Sequence, residues 1–191
     1  MNIIVRPYGG GSCYCRPDTT WERESKDFYS PECADALYWT PVVFARICKA
    51  GKCIGEKFVS RYYDAVGFGI LLYIGDKKAP LEIAYASCAD HTSLLPMPLY
   101  NPVVLDNPDN DFEVIGNDVK IWGLIESAQN DSRKLLESVI CRSSKLTSLR
   151  IGDFVAAELA PVRMLVSREK GSFGLRASYC ENDLFDVKIV F

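Results

Sequence analysis

A mainly β, mixed α+β fold is what this sequence predicts, and three observations predict it. Several runs are rich in β-branched and aromatic residues, one pair of such runs is joined by a turn pair suited to a hairpin, and only one segment carries a clear helical period. With 191 residues and 48% hydrophobic composition, the chain can bury a substantial core and has the size of one domain, residues 1–191. No internal repeat or low-complexity tract divides it.

The elements follow in order. Ile3 to Val5 reads as a short first strand, ended by Pro7 and by Gly9, Gly10 and Gly11, because proline lacks a donor and glycine frees the backbone. Arg16 to Pro31 is polar and charged and reads as surface loop. Val42, Val43, Phe44 and Ile47 favour a strand within Tyr38 to Cys48, with a turn at Ala50-Gly51-Lys52. Phe58 to Tyr63 reads as a helical turn leading into a buried strand, Ala65 to Ile74. Pro96, Pro98, Pro102 and Pro108 confine the middle of the chain to loops and short edge strands.

Next comes a hairpin. Phe112 to Ile115 and Asp118 to Ile125 are strands, and Gly116-Asn117 is the turn pair. Asp131 or Ser132 then caps a helix whose face carries Leu135, Leu136, Val139 and Ile140, with Arg142 and Lys145 suited to its last turn. Gly152-Asp153 turns the chain into strands at Phe154 to Leu159 and Val162 to Val166. Phe185 to Phe191 alternates over its first five residues as a half-buried final strand.

Composition excludes some functions. Twenty-two basic and 25 acidic residues are intermixed and give a net charge of -3, so no basic stripe exists to neutralise a phosphate backbone, and nucleic acid is not expected as a partner. The longest apolar stretch, Ala65 to Ile74, is shorter than the roughly 20 residues of a membrane helix. The opening residues lack a signal-peptide pattern, so a soluble, cytoplasmic protein is expected. The eight cysteines are scattered, without a Cys-x-x-Cys pair, and read as free, mostly packed thiols; Cys13-Tyr14-Cys15 beside the glycine run is a weaker redox-sensitive candidate.

Two polar groupings invite a chemical reading. Asp90 and the chain's one histidine, His91, lie near Ser87 and Ser93, but a Ser–His–Asp site needs a shaped nucleophile turn and oxyanion donors that this stretch lacks. Asp106, Asp109, Asp111 and Asp118 form an acidic run, and the interspersed Asn107-Pro108 and Asn110 point to a solvated turn rather than a cation loop.

Taken together, "MNIIV" (residues 1–5), "RICKAGKCI" (46–54), "RYYDAVGFGI" (61–70), "LEIAYASC" (81–88) and "TSLRIGDFVAAELAP" (147–161) give an almost end-to-end resemblance to the small bacterial members of the fumarylacetoacetate hydrolase family. "RYYDAV" and "SLRIGD" are its most specific pieces. The resemblance implies a mixed β-roll around a central pocket with one or two outer helices, usually a homodimer. It further implies a divalent cation, magnesium or manganese, on a Glu-x-Glu pair and an aspartate with a lysine nearby. Such a cation would polarise the oxygens of a 2-oxo acid or acylpyruvate during C–C hydrolysis, hydration or isomerisation.

At those positions this chain departs. By the resemblance the Glu-x-Glu pair falls at Thr40 and Val42, the aspartate at Leu71 and the lysine at Tyr85, while the arginine and aspartate that follow fall near Gly75 and Asp76, just before Lys77. The Gly-Thr-Pro turn falls at Glu158-Leu159-Ala160 or one residue later, and "RPYGGGSCYC" (6–15) replaces the entrance loop with its Asn-Tyr and histidine. The reading is therefore a catalytically degenerate relative, a pseudoenzyme without a metal, acting by binding or regulation as a homodimer or with an active paralogue. Two alternatives stand beside it. One is an enzyme rebuilt around Asp76, Asp90, His91 and Glu158, which requires these groups to share an open cavity. The other is a pocket filled by aromatics drawn from Trp39, Tyr62, Tyr63, Tyr73, Tyr85 and Trp122.

Overall fold

The computed structural model describes residues 1–24, 26–76, 79–126 and 131–191; Lys77 lies outside them. The strands are, in chain order, β1 (Asn2–Arg6), β2 (Tyr14–Pro17), β3 (Trp21–Glu22), β4 (Phe28–Tyr29), β5 (Ala36–Ile47), β6 (Tyr63–Gly75) and β7 (Ser93–Leu94). They continue as β8 (Phe112–Gly116), β9 (Val119–Gly123), β10 (Phe154–Glu158), β11 (Arg163–Ser167), β12 (Ser172–Tyr179) and β13 (Asn182–Val190). The described α-helices are α1 (Ile83–Ala86) and α2 (Ser132–Leu146). This is the expected mainly β, α+β architecture.

Two sheets hold these strands. The larger runs β2-β1-β10-β5-β6-β7-β3, with β11 also pairing with β5, and the smaller runs β4-β13-β12-β8-β9. The long antiparallel pair β5–β6 is the spine of the larger sheet. Its two faces are buried differently, as the period of two demands. Leu37, Trp39, Val43, Ala45 and Ile47 of β5 pack outward against α2 and the smaller sheet, in a core that also contains Leu136, Ile140, Leu175 and Val187. Val42 and Phe44 of β5 face inward with Ile3, Val5, Leu71, Tyr73, Phe154 and Ala156.

The larger sheet curls until its edges meet its middle. Tyr14 on β2 reaches across to Tyr73 on β6, hydroxyl to hydroxyl at 2.5 Å, although three strands separate them in the sheet. From the other edge, Trp21 on β3 packs edge-on against Phe154 on β10, with ring centres 5.0 Å apart. Arg16 on β2 closes the roll further: its Nη2 donates to the Leu72 carbonyl at 2.8 Å and to Thr92 Oγ1 at 2.7 Å. Gly69 is required where the walls approach, since a Cβ there would stand 2.3 Å from the Leu94 carbonyl. The result is the expected β-roll, nearly closed.

Some local expectations hold and others need correction. The hairpin turn is Asn117-Asp118, both with positive φ (46° and 63°), one residue beyond the expected pair; that is the backbone of a two-residue turn matching strand twist. Asp131 is the cap of α2, its side chain accepting from the Lys134 amide at 2.9 Å. Residues 16–31 are not surface loop, for they contain β3, β4 and the fully buried Arg16 and Thr20. Ser172–Tyr179 is a strand that pairs with both β8 and β13. The cysteines are free, but only Cys141 is buried, while Cys15, Cys33, Cys53 and Cys88 are exposed.

Candidate functional site

The inner face of the roll gathers three of the four positions singled out by sequence. Thr40 and Val42 project from β5 and Leu71 from β6; Thr40 and Leu71 are register partners, and Val42 lies opposite Gly69. All three are completely buried. The Thr40 hydroxyl donates to the Ala160 carbonyl at 2.6 Å, so its proton serves the backbone, and Val42 and Leu71 join the apolar packing of Phe44 and Phe154. Tyr85 does not join them. It lies on α1, 58% exposed, with its hydroxyl 3.5 Å from Cys33 Sγ.

A polar knot sits at the end of this apolar interior. Glu158, the last residue of β10 and 4% exposed, accepts three hydrogen bonds. These come from the Tyr73 hydroxyl at 2.7 Å, the Tyr14 hydroxyl at 3.1 Å and the Tyr8 amide at 2.9 Å. The Arg16 guanidinium lies 4.9 Å from the centre of the Tyr73 ring, so a buried cation and a carboxylate flank one tyrosine. Burial, followed by the Glu158 charge, holds the Tyr14 phenol well above its usual range. Burial and then the neighbouring Tyr14 do the same for Tyr73. Both phenols therefore remain donors at neutral pH.

Tyr73, one of the aromatics expected to line or fill the interior, does pack on the inner face, two residues from Leu71, and it also meets Glu158, a contact that the sequence does not display. The expected filling aromatics are also redistributed. Trp39, Tyr63 and Trp122 belong with the outer core, and the interior is packed by Phe44, Tyr73 and Phe154, with Tyr14 and Trp21 against them.

These residues do not fit a divalent cation. A hard cation takes six or more oxygens, whereas valine and leucine offer none. Thr40 supplies a neutral hydroxyl already bonded to backbone, and the Glu158 carboxylate faces three protein donors. Among the described residues no group of three or more histidine, cysteine, aspartate or glutamate side chains is placed to hold a metal.

The opposite face of β6 borders a groove of about 850 Å³. Its apolar surface includes Phe28, Ile74 and Ala89, and its rim includes Tyr85, Asp90 and His91. His91 is held by Glu22: the 7% exposed carboxylate receives Nδ1 at 2.9 Å and the Glu24 amide at 2.7 Å. Asp90 is thus not the imidazole's partner. Ser87 and Ser93 are both buried, and the Ser93 hydroxyl meets Thr20 at 2.8 Å. Asp76 lies at the end of β6, where its backbone carbonyl accepts the Tyr38 hydroxyl. Asp90 and His91 therefore share the outer groove, Glu158 closes the inner face, and Asp76 lines neither. In the acidic run, Asp106 pairs with Arg133 of α2 at 2.5 and 2.8 Å, and Asp118 occupies the hairpin turn.

The geometry can be set against known proteins. No protein-family model matches the chain, and no curated protein matches it by sequence. Solved structures do match. A protein from Yersinia pestis assigned to the fumarylacetoacetate hydrolase family superposes with a TM-score of 0.77 at 15% identity, over 99% of this chain and 92% of that one. An Escherichia coli protein assigned as an isomerase gives 0.78 at 15% identity over 99% and 91%. Fumarylpyruvate hydrolase from Pseudomonas aeruginosa, solved in complex with Mn²⁺ and pyruvate, gives 0.73 at 15% identity over 100% and 88%. This chain has the fold of the fumarylacetoacetate hydrolase family.

Proposed function

We propose that this protein is a catalytically degenerate form of the fumarylacetoacetate hydrolase fold, one that has exchanged a metal-centred pocket for a packed interior and acts by binding or regulation. One observation carries the reading. The carboxylate on the inner face, Glu158, is hydrogen-bonded by Tyr8, Tyr14 and Tyr73, and the neighbouring Thr40, Val42 and Leu71 are buried without a carboxylate among them. Enolate chemistry on a 2-oxo acid needs a fixed positive charge at the developing oxyanion. Arg16 lies over the Tyr73 ring, and its Nη2 is bonded to Leu72 and Thr92 in the wall.

The proposal includes assembly as a homodimer, or as a heterodimer with an active paralogue, which light scattering alone and after mixing distinguishes. A competing reading is a hydrolase- or lyase-like enzyme with a rebuilt site. The Glu22–His91 pair favours it, because a carboxylate on Nδ1 orients an imidazole as a general base requires. One assay separates them: purified protein with fumarylpyruvate and simpler acylpyruvates, with and without magnesium or manganese. The degenerate reading expects no turnover above the uncatalysed rate, and measurable cleavage or hydration overturns it.

A further inference from the structure

The groove on the outer side of β6 has no part in the inner-face reading, yet it is a concavity of ligand size. Its volume of about 850 Å³ lies within the range of small-molecule sites, roughly 300 to 1,000 Å³. Ile74 and Phe28 belong to the outer core, whereas Leu71 and Tyr73 belong to the inner one. Whatever occupies the groove therefore does not enter the roll.

Among the described residues that line the groove, three carboxylates, Glu22, Asp27 and Asp90, stand against one lysine, Lys26. Glu22 is nine-tenths buried and satisfied by His91 Nδ1 and the Glu24 amide. Because the carboxylate accepts, Nδ1 carries the hydrogen, and the far nitrogen of the 62% exposed imidazole is left to the groove. Asp90 is exposed beside it and has no hydrogen bond or ion pair among the described residues. Asp27 also lines the groove, one of its oxygens accepting the Lys188 amide at 3.0 Å. The lining cation, Lys26, is paired with Glu24 at 2.5 Å. Phe28, Tyr29 and Tyr85 also line the groove.

We infer that the groove is a binding site for a small arylalkylamine, an apolar ring system bearing a protonated amine. The apolar body would lie on Phe28, Ile74 and Ala89, and the ammonium would sit at the Asp90–His91 rim. Aromatic side chains beside carboxylates suit such a cation, which ring quadrupoles attract as well. An anion of the same shape meets acidic groups and is disfavoured. No bond is made or broken; the site is one of recognition.

His91 is the chain's one histidine, so its imidazole proton resonances report on the groove without ambiguity. The experiment titrates the intact protein with tryptamine and, separately, with indolepropionate, which keeps the ring and replaces the amine by a carboxylate. A saturable shift of the His91 resonances is expected with tryptamine and none at the same concentrations with indolepropionate. Asp90→Asn should weaken tryptamine about fivefold, the order an exposed ion pair supplies. Asp118→Asn, which removes the same charge at the hairpin turn, should leave tryptamine binding unchanged. The inference is overturned by an absent or non-saturating shift, by equal or tighter binding of indolepropionate, or by equal effects of the two substitutions. Because none of these readouts involves a metal or turnover, the result is independent of the proposed loss of catalysis.

Discussion

The Tyr73 hydroxyl donates to Glu158 Oε1 at 2.7 Å, across an interior where neither side chain is more than 4% exposed. A carboxylate in such surroundings stays stable only while its lone pairs are occupied. Tyr73→Phe removes one donor to Glu158 and the hydroxyl contact with Tyr14 while leaving the ring in place. The expected loss is about 2 kcal/mol, measured by urea denaturation, and an unchanged midpoint would show that Tyr73 does not support the carboxylate.

Arg16 supplies the neighbouring positive charge and ties β2 to the wall through Leu72 and Thr92. Arg16→Met should cost about 3 kcal/mol, since it removes a buried cation beside the Tyr73–Glu158 pair together with its bonds to Leu72 and Thr92. Combining it with Glu158→Gln should cost less than the sum of the two single changes, because the charge in need of compensation is then gone. Additive losses would mean that the two residues are energetically independent.

Alkaline pH probes the same knot. Tyr14 and Tyr73 are both held above the ordinary tyrosine range, by burial first. Their unfolded forms ionise near pH ~10, so the stability from keeping them neutral is fully present below that value. It is lost as pH rises from there toward the folded values. The denaturation midpoint should fall steeply above about pH 10, and Tyr73→Phe should make that fall shallower. An equal slope in both proteins would contradict the assignment.

Leu71 tests whether the interior can accept a carboxylate at all. Leu71→Asp places a charge at a fully buried apolar position, and a loss of roughly 3 kcal/mol or more is expected. Magnesium should not restore it. Recovery on adding the ion would mean that the surrounding residues still form most of a cation site.

The parts of the fold that were legible in the sequence are those whose local signals agree with their surroundings. The β5–β6 spine shows its long apolar runs, α2 its capping aspartate and its Leu136, Val139 and Ile140 face, and β8–β9 its turn chemistry. β12 was not visible, because Ser172-Phe173-Gly174-Leu175-Arg176-Ala177 has small residues where a strand usually advertises itself; its pairing with β8 and β13 decides the matter. Residues 16–31 misled for a different reason. Their charges look solvent-seeking, but the partners that permit burial of Arg16 and Glu22, at Leu72, Thr92 and His91, are more than 50 positions away in sequence.

The candidate site divides in the same way. Burial of Thr40, Val42 and Leu71 on a shared face follows from strand alternation, which the sequence displays. Glu158 meeting Tyr14 and Tyr73 depends on how tightly the sheet curls, and no local pattern encodes that. The Glu22–His91 pair likewise joins two segments that sequence reading kept apart.

The central claim, that an interior of threonine, valine and leucine beside a satisfied glutamate has no place for a divalent cation, is tested most directly by thermal melting with increasing magnesium or manganese. An ion bound only by the folded state raises the midpoint as its concentration exceeds its dissociation constant. The account predicts no rise beyond that produced by an equal ionic strength of sodium chloride. A saturating, ion-specific increase would contradict it.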